Sequence, residues 1–85
     1  MAKFAIARQL SGKRVITNMG EEIGKIVDIV IDEKSGKIIS FLIEINADSR
    51  VGRALQREGD LGIVPYDAVT AAGDVIIVDE RSLGV

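Results

Sequence analysis

An all-β fold, a small barrel or sandwich of about five to six short strands, is predicted by three features of the chain. Apolar residues alternate with polar ones at the strand period of two. The alternating runs are rich in Ile and Val, which suit a pleated, half-buried surface. Turn residues, chiefly glycine beside Asn, Asp or Ser, separate the runs at short intervals.

The elements come in order. "ARQLSG" is expected to make a single helical turn. "RVIT", Arg14 to Thr17, is a short strand, and a turn through Asn18 and Gly20 comes after it. The longest signal runs from Ile23 to Ile45 and predicts a long β-hairpin with "DEKSGK" as its turn. On its first strand Ile23, Lys25, Val27, Ile29 and Ile31 fall on one face, nearly all aliphatic and expected to be buried. On its second strand Ile39, Phe41, Ile43 and Ile45 form the matching apolar face. Gly24 and the strict odd-position pattern argue against a helix here. "LGIVP" is a strand that ends at Pro65, because proline cannot donate to a ladder. "YDAV" is one tight turn. A turn at Gly73-Asp74 precedes a last strand, Val75 to Val78.

The segment 47–60, "ADSRVGRALQREGD", breaks the pattern and is expected to be a long loop or a short helix. Asp48 or Ser49 is placed to cap a helix start and Gly59 to stop it. Gly52 weakens the helix. Arg50, Arg53 and Arg57, three and four apart, would share one helical face.

Eighty-five residues make one domain, 1–85, without internal repeat or linker. So short a chain buries a modest core and usually needs a disulfide, a metal or self-association. The sequence holds neither cysteine nor histidine. Disulfides, thiolate metal sites and Ser-His or Cys-His nucleophile pairs are thereby excluded. With 47% hydrophobic but only 4% aromatic residues, self-association is the stabiliser that remains. Net charge is -2, unlike the basic footprint of a nucleic-acid binder. No apolar run is long enough to span a bilayer, and the start shows no signal-peptide pattern. The expected location is the cytoplasm, with no direct membrane insertion.

The charged residues carry little chemistry. Asp28 and Asp32 share one strand face, but their Cα atoms should lie roughly 13 Å apart. A retaining carboxylate pair needs about 5 Å between carboxyls. Solvated acids on a wet sheet face are the simpler reading. "DEKSG" lacks the spacing of a calcium loop. The glycines form no phosphate cradle. No cofactor, metal or catalytic residue is expected, and the chain is not read as an enzyme. Arg50, Arg53 and Arg57 suit an acidic protein surface or phosphate, with local pairing to Asp48, Glu58 and Asp60 as the alternative. Nucleic acid is disfavoured, since only Phe4, Phe41 and Tyr66 are aromatic and no stacking platform is in sight.

The second face of the hairpin is half apolar. Ile26 and Val30 on one strand and Ile38 and Leu42 on the other would form an exposed patch in a lone monomer, the alternative being that the loop 47–60 or the chain ends cover them. Such patches mark interaction sites. A homodimer or a protein partner on Ile26, Val30, Ile38 and Leu42 is the expectation.

The ordered set "LSGKRVITNMGEEIGKIVDIVIDEKSGKIISFLIEI", "GIVPYDAV" and "GDVIIVDE" resembles the PRC-barrel family over nearly the whole chain. The resemblance implies a small β-barrel devoted to binding and assembly, with no catalytic residues to carry over. It is similar above all to stand-alone archaeal PRC-barrel proteins, some of which resemble dimeric cell-division components that bind SepF, the membrane anchor of FtsZ. A SepF-like division protein is the partner this implies. The barrel of a ribosome maturation factor is also related, and gives the alternative of an RNA-processing or ribosome-associated module. The segment 47–60 is longer than a minimal hairpin loop, and the family does not settle its role.

Overall fold

A computed structural model describes residues 9–85. Gln9 and Leu10 are helical, in the "ARQLSG" stretch where a helical turn was expected, and Leu10 packs against the core. Seven strands succeed them: β1 (Arg14–Thr17), β2 (Glu22–Ile31), β3 (Ile38–Ile45), β4 (Arg57–Glu58), β5 (Leu61–Pro65), β6 (Val69–Ala72) and β7 (Ile76–Val78). One short helix, α1 (Arg50–Ala54), lies between β3 and β4. Two 3-10 turns cover Tyr66–Ala68 and Glu80–Leu83.

All seven strands belong to one sheet in the order β4-β5-β3-β2-β1-β7-β6. Neighbours are antiparallel except β1 and β7, which are parallel because the chain crosses back from the far edge. The predicted strands are present, and β4 and β6 add to them. The five to six strands expected are thus seven, because both additions are partners in tight hairpins. In the β4–β5 hairpin Glu58 faces Leu61 across Gly59-Asp60, with Gly59 at φ 61°, the arrangement of a two-residue turn opened by glycine.

The sheet is not closed: no ladder joins β4 to β6. It nevertheless surrounds one core, since Val64 of β5, Phe41 and Ile43 of β3, Val15 of β1, and Ile76 and Val78 of β7 belong to a single buried cluster. Leu55 after α1, and Ala68 and Leu83 of the 3-10 turns, complete that cluster. Side chains from turns thus contribute to the core alongside those of the strands. Phe41 is capped by Tyr66, edge-on at 5.9 Å between ring centroids.

Three register breaks reassign the hairpin's faces. Val15 pairs with Gly24 but Ile16 with Glu22, so Ile23 is an extra residue on β2 and turns inward. Ile26 pairs with Ile43 and Asp28 with Leu42, leaving Val27 extra. Val30 pairs with Ser40 and Ile31 with Ile38, leaving Ile39 extra. Each inserted residue reverses the parity of the strand beyond it. Ile26 is therefore a core residue, 1% exposed, and Ile38 packs against the core. Neither lies on the outer patch expected for it. Val27 and Ile39, expected inside, are 43% and 54% exposed. Leu42 does stand outside the core cluster, between Asp28 and Ile63 in register, yet it is only 7% exposed. Val30 is half-buried.

Candidate functional site

Two surfaces have features that the core does not require. The first is the distal half of the β2–β3 hairpin. β1 pairs with β2 only as far as Lys25, and Ile26 exchanges backbone hydrogen bonds with Gly12 and Lys13. Beyond Ile26 that edge of β2 has no strand partner among the described residues. On the other side β5 accompanies β3 only from Glu44 to Ser40. Among the described residues the β2 edge is thus open past Ile26, with β3 and β5 behind it as far as Val30 and Ser40, and the tip from Ile31 to Ile39 projects as a two-stranded ribbon. Ile29, Val30, Ile31 and Ile38 are half-buried there, and Ile39 is exposed. Apolar side chains occupy both faces of this ribbon. The two bulged residues, Val27 and Ile39, add to them. The acids of the region serve the backbone: Asp28 Oδ1 accepts from Ile29 N at 2.8 Å, and Asp32 Oδ1 accepts from Lys34 N at 2.8 Å in the turn.

The second surface is built on α1. Ser49 caps the helix, its Oγ accepting from Gly52 N at 2.8 Å. The same hydroxyl donates to Glu21 Oε2 at 2.5 Å, and Val51 N donates to that oxygen at 3.0 Å. A carboxylate from the β1–β2 turn thus fastens the start of α1. These two hydrogen bonds hold the Glu21 carboxyl below its usual range, and the charges of Arg50 and Arg53 act in the same direction. The helix sits hard against β2: a Cβ on Gly52 would lie 2.8 Å from Ile23 O. The glycine that weakens the helix in isolation is what lets it approach the strand.

Arg50 and Arg53 project from α1 over a shallow groove of about 490 Å³, floored by Val51 and Ala54 and bounded by Glu21, Glu80 and Val85. A second hollow of about 360 Å³ continues from Glu80 and Val85 to Asn18, Met19 and Arg81. Met19, at the tip of the β1–β2 turn, is 75% exposed. Arg57 does not share the helical face predicted for it. The helix ends at Leu55, and Arg57 lies on β4, where its Nη2 donates to Arg53 O at 3.3 Å. Gly59 does not stop the helix because it is used in the β4–β5 turn.

Of the residues expected to form an interface, Val30 and Leu42 share an outer sheet face, while Ile26 and Ile38 do not join them. Arg50 and Arg53 come together. Val27 and Ile39 were missed because a bulge is invisible to strict alternation. The groove wall from Glu80 to Val85 was missed because it is assembled from distant segments. Met19, a large apolar residue in a turn, was the one legible signal.

Comparison with known proteins agrees with this architecture. An uncharacterized protein of Methanocaldococcus jannaschii is 38% identical over 77 residues, which cover 91% of this chain and 83% of that protein. The sequence profile of the PRC-barrel domain matches residues 4–84. With its single β-rich sheet wrapped about one core, the chain belongs to the PRC-barrel domain family.

Proposed function

We propose that this protein is a non-enzymatic adaptor that works as a homodimer and docks another protein. The observation that carries the reading is the distal hairpin, where Val27 and Ile39 are exposed and the β2 edge beyond Ile26 lacks a strand partner among the described residues. An open edge flanked by aliphatics is a template for pairing with another chain. A second copy related by a two-fold axis would lay its β2 against this one and cover both bulged residues. Family membership and the archaeal relative support the stand-alone archaeal type. The resemblance to division components of that type points to a role in archaeal cell division, with a SepF-like protein, the anchor of FtsZ, as the partner.

Sedimentation equilibrium tests the dimer. The wild type is expected at twice the 9.1 kDa chain mass at tens of micromolar. The double variant Val27→Glu/Ile39→Glu is expected at 9.1 kDa with an unchanged far-UV circular dichroism spectrum. A monomeric wild type, or a variant that still dimerises, rejects this interface. Affinity purification from native cells with mass spectrometry tests the partner. Failure to recover a SepF-like protein removes the division role and leaves the dimer standing.

A further inference from the structure

We infer that the groove between α1 and the Glu80–Leu83 turn is a docking site for an extended acidic peptide segment carrying an aliphatic anchor. The inference rests on the adaptor reading and gives the partner its chemistry.

Charge points to an acidic ligand. Arg50 and Arg53 are exposed on one wall and form no ion pair within 4 Å among the described residues. Glu21, which lines the same groove, already accepts from the Ser49 hydroxyl and the Val51 amide through one oxygen. Arg81 stands at the other end with its side chain 90% exposed, only 3.7 Å from Asp79, a contact worth little in water. Arg50 and Arg53 thus have no ion-pair partner among the described residues, Arg81 has only its exposed contact with Asp79, and all three guanidinium groups could fork onto carboxylates of a partner. The floor points to an aliphatic anchor. Val51, Ala54 and Val85 give an apolar strip, and Met19 continues it. The two hollows meet at Glu80 and Val85, and both fall in the size range of sites for small ligands or short peptide segments. Glu80 lines both hollows, where its carboxylate would accept a peptide N–H and repel an uninterrupted phosphate backbone. That favours a peptide, whose charges can be spaced, over nucleic acid.

Glu21 ties this wall in place through its hydrogen bonds from Ser49 and Val51. It fixes the start of α1 against β2, so the arginines are presented without the cost of ordering a loop.

Fluorescence anisotropy tests the site with a labelled nonapeptide of alternating glutamate and leucine. Controls are the glutamine-leucine peptide, nonaglutamate and single-stranded oligouridylate. The full-length wild type is expected to bind the glutamate-leucine peptide in preference to all three, with affinity falling as salt is raised. Arg50→Ala/Arg53→Ala should weaken that binding by about tenfold or more. Met19→Ser should weaken it less. Both variants should keep the wild-type sedimentation behaviour, because none of the substituted residues lies on the distal half of the hairpin. Equal binding of the glutamine-leucine peptide, preference for oligouridylate, or absence of binding each overturns the inference. Such a failure beside an intact dimer condemns the groove and spares the hairpin interface.

Discussion

The two halves of the β2–β3 hairpin are built from the same residues and end in opposite environments. The proximal half, Ile23 to Ile26 opposite Ile43 to Ile45, has β1 on one flank, β5 on the other and α1 against it. Ile23, Ile26 and Ile43 are at most 1% exposed. The distal half, Val27 to Ile31 opposite Ile38 to Leu42, is just as aliphatic, but its β2 strand outruns β1 and the Ile38–Ile39 end outruns β5. Val27 to Ile31, Ile38 and Ile39 are therefore half-buried or exposed, while Ser40, Phe41 and Leu42, still flanked by β5, are buried. Local sequence therefore makes a strand in both places. Burial depends on how far the flanking strands extend and on where an extra residue shifts the register. An alternating pattern certifies a strand without saying which side chains it hides.

Truncating equivalent isoleucines gives the largest contrast between the halves. Ile43→Ala leaves a cavity in the buried cluster and is expected to cost about 2–5 kcal/mol. Ile39→Ala is expected to cost under about 0.5 kcal/mol in the monomer, as for a surface change. Urea unfolding at low protein concentration measures both, and similar costs would erase the distinction. Ile39→Ala should also reduce the dependence of the melting temperature on protein concentration, which dimerisation imposes.

A smaller effect probes how closely the proximal half is packed. A Cβ on Gly24 would lie 2.2 Å from Glu44 O and 3.0 Å from Ile43 Cδ1. Gly24→Ala must push β2 off β3 and is expected to cost about 1–3 kcal/mol, as overpacking does. Gly36→Ala, in the distal turn with open space around it, meets no such atom, although its φ of 74° disfavours a side chain. A Gly24→Ala protein as stable as the wild type would show that this approach is not tight.

The smallest effect concerns pH. Glu21 has a lowered carboxyl pKa in the folded chain, chiefly through Ser49 and then Val51. A depressed folded pKa contributes stability that is present above the unfolded value and is lost as pH falls through the folded one. Acidification below the ordinary carboxylate range should therefore loosen α1 while the core strands persist. Amide exchange at Val51 and Gly52 is expected to speed up on acidification relative to the intrinsic rate, and Glu21→Gln should abolish that dependence. Exchange that tracks only the intrinsic rate in both proteins would remove Glu21 as the fastener.

Much of the fold was legible. The bounds of β1 and the end of β5 can be read directly from "RVIT" and Pro65, because β-branched runs and a missing donor act locally. The hairpin and its turn at Gly36 can be read from alternation and turn chemistry in the same way. The candidate surfaces were legible only in part. Arg50 and Arg53 could be paired from helical spacing, and the cap at Ser49 from its residue type. Arg57 could not be placed, since a two-residue strand leaves no periodic trace.

Backbone preferences and spacing along the chain are enough to dictate where it extends, where it turns and that it must hide aliphatic surface. Which aliphatics are hidden was settled only in the folded molecule. Three inserted residues, Ile23, Val27 and Ile39, set the faces of the hairpin, and each is defined by a register with another strand. The groove beside α1 likewise exists only because the fold brings the β1–β2 turn, the helix and the last 3-10 turn to one place. Register and juxtaposition are relations between distant segments, and no local pattern encodes them.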